Sequence, residues 1–423
     1  MTSQRHRRLA PQDIPAVVRQ VVKRTPVTDI HTHLYPPAMG DRLLSGIEAL
    51  LTYHYLIAEA LRSDRQDADA FWTRATSDQA AWIWRVLFEH QSPLSEAARG
   101  VVHTLSRLGV VRDGAWTWEA VRAAARRAAT PDDVERVLAL AGVDQVVMTN
   151  DPFDPEERAW WWRGAEARAA RFYASLRIDR LLNQPESAVA QARQQGYAVS
   201  LDRTAANRAE WQRFLSDWIT QTTPVYVAWS LGADWEFPNE SLRTWFLDEV
   251  VVPVLETHEL ALALMMGVER QVNPQLRDAG DGVVTVSLAP LEALLRTYPQ
   301  IRVLATALAR ENQHELTVLA RKFPQLMIFG CWWFLNTTSL MREITAMRVE
   351  LLGPTFIPQH SDARVLEQVI YKWDLTREVL AHVLSDRYEA LATAGWPVTE
   401  DAIQRDVRGL LSQNFWDFVR RSP

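Results

Sequence analysis

The sequence predicts an α/β fold, a (β/α)8 barrel of the TIM type with an inserted helical cap after strand 1. Three observations lead there. Eight short, mostly apolar runs alternate with helical patterns, as expected for parallel strands buried on both faces. Polar residues gather where those runs end, which is where a barrel keeps its active site. The stretch 35–143, between the first run and the second, is mainly helical and too long for one crossover helix, so it reads as an insertion.

In chain order, Leu9 to Lys23 carries Ile14, Val17, Val18, Val21 and Val22 on one side and reads as a leading helix into the first strand, Val27 to Leu34. Tyr35-Pro36-Pro37 then breaks the pattern. Helical blocks follow at Ile47–Arg62, Gln79–His90, Leu94–Leu108, Trp118–Ala129 and Pro131–Leu140. Strands two to five are expected at Asp144–Asn150, Arg171–Asp179, Val225–Leu231 and Leu260–Val268. Strands six to eight are expected at Arg302–Leu308, Leu326–Trp333 and Thr355–Asp362. Between the later strands lie helices at Glu186–Gln195, Asn207–Thr220, Leu242–His258, Leu291–Tyr298, Glu311–Phe323 and Met341–Leu352. The tail Leu366–Arg421 is helical again. With no solenoid-period repeat and no low-complexity linker, a single domain is expected: 1–34 as leading helix and strand one, 35–143 as the cap, 144–423 as the remaining barrel.

Composition narrows the class. A 423-residue chain that is 48% hydrophobic can bury a large core. Its net charge of -6 lacks the basic surface that nucleic acid or an anionic membrane would demand. Cys331 is the single cysteine, so no intramolecular disulfide can form. The region Met1 to Arg24 carries Arg5, Arg7, Arg8, Arg19, Lys23 and Arg24 without the apolar block of a signal peptide, and no segment has the length and apolarity to span a bilayer. A cytoplasmic enzyme, working as a homo-oligomer on a small molecule, is expected.

The chemistry starts at Thr28-Asp29-Ile30-His31-Thr32-His33-Leu34. Residues two apart on a strand share a face, so His31 and His33 can close on one ion. Alone, the pair reads equally well as polar residues at a strand-to-loop junction, and Asp362 alone reads as a helix N-cap. On the first and eighth staves of a closed barrel, the three converge. Two imidazoles and a carboxylate suit one divalent ion, zinc foremost with manganese or iron also accommodated, and leave positions open for water or substrate.

Four stretches carry a family resemblance: the His31-Thr32-His33 strand, Tyr53-His54-Tyr55, Gly330-Cys331-Trp332-Trp333-Phe334-Leu335-Asn336, and Ser361-Asp362-Ala363-Arg364. Together they resemble the uronate (glucuronate) isomerase family of the amidohydrolase superfamily, in its shorter, divergent bacterial branch. In that branch Thr149-Asn150-Asp151-Pro152-Phe153-Asp154 and Arg310-Glu311-Asn312-Gln313-His314-Glu315 also have counterparts. The resemblance implies isomerisation of D-glucuronate to D-fructuronate or of D-galacturonate to D-tagaturonate, by proton transfer through a cis-enediol.

Carried over by position, the resemblance implies His31, His33 and Asp362 as metal ligands, with Asp362 also in the catalytic set. It implies Tyr55 as the base, with Arg177 as the neighbouring cation that a phenol of pKa about 10 requires, and as a substrate contact. His54, Arg364, Arg270 and the Trp332–Trp333 pair would contact substrate, strand alternation allowing only one of the two indoles to face the site. Arg270 reads equally as a solvated loop residue, and His54 and Tyr55 as packing on an amphipathic helix. One departure stands out. The family's histidine at the end of strand five is replaced here by Met265, with Asp179, Asp151 and His314 as nearby polar groups. The competing reading keeps the barrel but makes it a mononuclear metal-dependent hydrolase or lactonase. A sugar-acid binding protein is a third.

Overall fold

The computed structural model of the chain describes residues 8–111, 116–125, 131–164 and 170–420. Seven parallel strands form one sheet in chain order: β1 (Val27–Thr32), β2 (Val143–Asn150), β3 (Phe172–Arg177), β4 (Tyr226–Leu231), β5 (Ala261–Met266), β6 (Val303–Ala307) and β7 (Leu326–Ile328). The register runs evenly through the centre, with Tyr226 opposite Ala261 and Leu262 opposite Val303. The expected α/β barrel alternation is borne out, with β2 beginning one residue earlier than expected and the other strands shorter at their ends.

Two expected strands differ. The eighth stave, 355–362, meets β7 in a single parallel bridge at Ile357. It reaches β1 through two backbone bonds: Asp362 N–H donates to His31 O at 3.1 Å, and His33 N–H donates to Ala363 O at 2.8 Å. Side chains replace the rest of the ladder, Ser361 N–H donating to Asp29 Oδ1 at 2.9 Å and Cys331 N–H to Gln359 Oε1 at 2.7 Å. The ring therefore closes without a regular strand, and Asp362 at φ +49° takes a left-handed conformation that extended pairing would forbid. The seventh strand ends early because Gly330 turns the chain at φ +70° and Trp333 lies at φ +47°. Trp332 and Trp333 thus sit beyond the strand, and the alternation that would have separated them does not apply.

Strand periodicity sorts the core. Val227, Trp229, Leu262, Leu264, Val303 and Ala305 face the outer helices. Tyr226, Ala228, Ala261, Ala263, Met265 and Leu304 fill the interior with Ile30 and Phe329. The C-terminal helix Asn414–Arg420 plugs the N-terminal end of the barrel with Phe415 and Trp416. The Trp416 indole donates there to Thr28 Oγ1 at 3.1 Å and Gln145 Oε1 at 2.8 Å. With that end sealed, only the opposite mouth is open to chemistry.

Between β1 and β2 run helices at Ile47–Leu51, His54–Asp64, Ala68–Trp72, Thr76–Trp84, Glu96–Arg107, Trp118–Ala125 and Pro131–Ala141. They gather a hydrophobic cluster of their own around Leu51, Phe71, Ile83, Trp84 and Leu105. The end of the expected Trp118–Ala129 helix, and Arg5 and Arg7, lie outside the described residues. Among those described, no helix is long and apolar enough to cross a membrane.

Gly330 ties this fold to the site. A Cβ there would lie 2.0 Å from Nδ1 of the buried His360, whereas at Gly109, with nearly the same φ of +69°, a Cβ meets nothing within 4 Å. Both alanine variants pay the positive-φ cost of ~1 kcal/mol. Gly330→Ala alone also forces the His360 ring aside, so thermal unfolding should show it less stable than Gly109→Ala by ~2 kcal/mol or more. Equal midpoints for the two variants would contradict the close approach.

Candidate active site

β1 delivers His31 and His33 to the open mouth, and their Nδ1 atoms are fixed by Tyr226, reaching across the barrel interior from β4, and by Thr149 on the adjoining β2. His31 Nδ1 lies 3.2 Å from the Tyr226 hydroxyl, which spends its own proton on Ile30 O at 2.7 Å. His33 Nδ1 lies 3.0 Å from Thr149 Oγ1, whose proton goes to Thr32 O at 2.7 Å. Each hydroxyl is left as an acceptor, so each imidazole must donate from Nδ1 and carry its lone pair on Nε2.

Those two lone pairs aim at one carboxylate. His31 Nε2 and His33 Nε2 stand 3.7 Å and 3.3 Å from Asp362 Oδ1. Burial pulls both imidazoles below the ordinary histidine pKa. Burial would raise Asp362, but the positive charge it meets when His33 or His31 carries a proton, with Lys372 adding, holds the carboxyl well below the usual range. Three acceptors facing one another repel unless a cation sits among them. Their spacing fits one, because ligand atoms ~2.0–2.2 Å from a tetrahedral zinc lie about 3.4 Å apart. Among the described residues this is the single group of three or more His, Cys, Asp or Glu placed to hold a metal ion.

The support beneath is equally specified. Trp332 Nε1–H donates to Asp362 Oδ2 at 3.1 Å, leaving Oδ1 for the histidine side. Asp29, whose pKa burial pushes up to about 6, accepts from Ser361 N–H and, at 2.8 Å, from Trp373 Nε1–H. Lys372 Nζ, buried, donates to Ser361 O. The Met265 side chain packs in the apolar interior and supplies no ligand or proton.

Two cavities open at this mouth, and the three ligand residues line neither. One, of about 430 Å³, is walled by Tyr53, His54, Tyr55, Trp333, Tyr371 and Lys372. His54 sits against Tyr53, Tyr55 and Trp333 at ring separations of 4.1, 4.5 and 5.2 Å. Burial, with Arg364 adding, pushes its pKa down to about 3, so the ring is neutral and its Nε2 has no protein partner. Both tryptophans therefore serve this region, Trp332 through Asp362 and Trp333 as cavity wall.

The other cavity, about 880 Å³, holds Arg177 and Arg270. Arg177 is bound to Asp179 at 2.9 Å and its charge acts on His31 and His33, while the cation acting on Tyr55 is Arg364. Burial, with Tyr53 and Asp362 next, drives the Tyr55 phenol well above its ordinary pKa. Arg270 pairs with Asp281, with 60% of its side chain exposed. Asp151 pairs with Arg180 at 3.2 Å, and His314 is exposed on its helix, outside both cavities. Arg364, by contrast, makes no ion pair within the described residues. Sequence reasoning missed Tyr226 and Thr149 as the groups that orient the histidines, and Lys372. For Thr149 a signal existed, since it opens the Thr149-Asn150-Asp151 stretch already singled out.

Comparison with solved structures places this architecture. A uronate isomerase from Bacillus halodurans C-125 superposes with a TM-score of 0.94 at 47% identity, over 98% of this chain and 97% of that one. The chain belongs to the uronate isomerase family. A glucuronate isomerase from Caulobacter crescentus (TM-score 0.76, 14% identity, 98% of this chain and 97% of that one) shares the fold. So does a uronate isomerase from Thermotoga maritima (0.75, 14%, 96% and 97%). No protein-family model matches the chain, and no curated protein matches it significantly.

Two substitutions separate ligand from support. Asp362→Asn keeps side-chain shape and tolerance of the left-handed backbone but removes the charge, so metal content after purification should collapse. Thr149→Val removes the acceptor for His33 Nδ1–H together with the hydroxyl's bond to Thr32 O, so affinity measured by chelator competition should weaken roughly 10- to 100-fold. Unchanged affinity in Thr149→Val would refute the tautomer assignment.

Proposed function

We propose that this protein interconverts aldose and ketose hexuronates, D-glucuronate with D-fructuronate and D-galacturonate with D-tagaturonate, as a metal-dependent isomerase of the cytoplasm that assembles as a homo-oligomer. The observation that carries this reading is the 47% identity to a uronate isomerase across 98% of the chain. The convergence of His31, His33 and Asp362 beside the His54–Tyr55 wall supports it.

In this reading, His31, His33 and Asp362 hold one divalent ion, zinc by the donor set, and that ion supplies positive charge near the sugar oxygens. Trp332 keeps Asp362 turned toward the histidines. His54 contacts a substrate oxygen through its unpartnered Nε2. Tyr55 takes the proton from C2 and returns it to C1 as the substrate passes through the cis-enediol. Its phenol must first lose a proton against the burial that holds it on, and Arg364 rather than Arg177 is the cation that aids this. Arg364 also attracts the carboxylate, because Arg177 and Arg270 are already neutralised by aspartates. The segment 35–143 acts as a cap on a single barrel domain, since its Tyr53-His54-Tyr55 turn packs on Trp333 and excludes water from the reacting carbons.

Nothing in the site favours the hydrolase or lactonase. The inward-facing residues at the ends of β4, β5 and β6 are Ser230, Met265 and Thr306, none of them an imidazole, carboxylate or lysine that would hold a second ion.

The decisive experiment incubates metal-replete protein with D-glucuronate or D-galacturonate in deuterated water and follows proton NMR. Ketose formation with deuterium incorporation is expected. No change in either sugar, together with cleavage of lactones, would replace the isomerase reading. In Tyr55→Phe with normal metal content, exchange of the C2 proton should fall roughly 10²- to 10⁴-fold. Retained exchange would remove Tyr55 from the proton path.

A further inference from the structure

The long helix Gln368–Thr393 begins just after the eighth stave, and its fifth residue, Lys372, lies in the site region. Lys372 is the one Lys or Arg lining the 430 Å³ cavity walled by His54, Tyr55 and Trp333. Its side chain is buried, and its ammonium donates to a single described acceptor, Ser361 O. An ammonium has three donors, so two remain for something in the cavity.

The surrounding carboxylates do not take them. Asp29 has its two oxygens occupied by Ser361 N–H and Trp373 Nε1–H. Asp362 faces His31 and His33 with one oxygen and Trp332 with the other. On the cavity wall, Glu96 is held by Arg99 and Thr338, and Asp281 by Arg270. Arg364 also lacks an ion pair within the described residues, and it is near enough to act on Lys372 and on His54. Asp362 and Asp29 act on the Lys372 ammonium without bonding it, so its remaining donors, with the Arg364 charge nearby, are left for an anionic acceptor entering the cavity.

We propose that Lys372 is a substrate-binding residue whose ammonium holds the carboxylate of the sugar acid in the His54–Tyr55–Trp333 cavity, with Arg364 adding positive charge from outside the cavity lining. This rests on the hexuronate reading for the identity of the anion, and assigns its carboxylate to this side of the mouth rather than to the Arg177–Arg270 cavity. There four arginines are paired with Asp179, Asp151, Asp234 and Asp281.

The test compares metal-replete wild type with Lys372→Gln, which keeps a donor for Ser361 O and loses the charge. Binding is read by calorimetry with L-gulonate, the open-chain acid formally obtained by reducing the aldehyde of D-glucuronate, which cannot isomerise. Hydrogen bonds to charged groups are worth ~1.5–3 kcal/mol, so Kd for L-gulonate and KM for D-glucuronate should rise roughly 10- to 100-fold. Metal content should not change, and kcat should move less than about threefold, the split expected for ground-state binding. Affinity within about twofold of wild type overturns the clamp even if the wild type isomerises hexuronates. Wild type that turns over no hexuronate, yet binds L-gulonate through Lys372, overturns the activity and leaves the clamp standing. A crystal structure of wild type with L-gulonate reads the same point without a folding risk. A carboxylate oxygen ~3 Å from Lys372 Nζ supports the assignment, and a carboxylate in the other cavity overturns it.

Discussion

Three lone pairs turned toward one point are what this site is built to hold. Left to themselves, two neutral imidazole nitrogens and a carboxylate oxygen at 3.3–3.7 Å would swing apart. They cannot, because Tyr226 and Thr149 fix the imidazoles from behind and Trp332 fixes the carboxylate from the side. Each of these holders is itself committed, Tyr226 and Thr149 to backbone carbonyls and Trp332 to the turn after Gly330. The strain of assembling like-natured groups is thereby carried by the barrel wall, and it is relieved when a cation enters.

Closure of the barrel and formation of the site are one event. The bonds that join the eighth stave to β1 run through Asp362 N–H and His33 N–H, two residues whose side chains meet in the trio. A regular strand there would keep Asp362 extended and send its carboxylate elsewhere. The left-handed φ of +49° aims it at the histidines, at a cost an aspartate tolerates better than most residues. Asp29 replaces the missing ladder bond by accepting from Ser361 N–H, while from the following helix Trp373 donates to Asp29 and Lys372 to Ser361 O.

Much of this was legible in the sequence, for identifiable reasons. Buried parallel strands are apolar runs, so seven staves could be read directly, and His31 with His33 followed from period two. The end of the seventh stave could not, because a positive-φ glycine and the His360 ring packed against it decide the turn, and neither leaves a periodic trace. The tautomer holders were hidden for a different reason. Thr149 reaches His33 through the β1–β2 register, which pairs Thr32 with Met148, and Tyr226 reaches His31 across the barrel interior from β4. The roles of the arginines depended on partners as well. Asp179, two residues beyond Arg177, was visible in the sequence, but whether it satisfied that arginine or faced solvent was a matter of local turn geometry.

That pairing sets the direction in which an anion is drawn across the mouth. On the β3–β5 side every arginine lining the cavity has its aspartate, and Glu269 and Asp278 add further acidity. On the cap side the acids are spoken for by Arg99, Thr338 and Arg270, while Arg364 and Lys372 have none. Charge without a contact partner attracts an anion more strongly than charge already neutralised by one. A sugar acid approaching the trio therefore meets net attraction from the cap side, with its carboxylate leading toward Arg364 and Lys372. Its hydroxyls are then left to the polar but neutralised surface opposite. The same asymmetry gives the helices between β1 and β2 a chemical purpose beyond shielding, since their Tyr53-His54-Tyr55 turn supplies the aromatic wall against which that orientation is held.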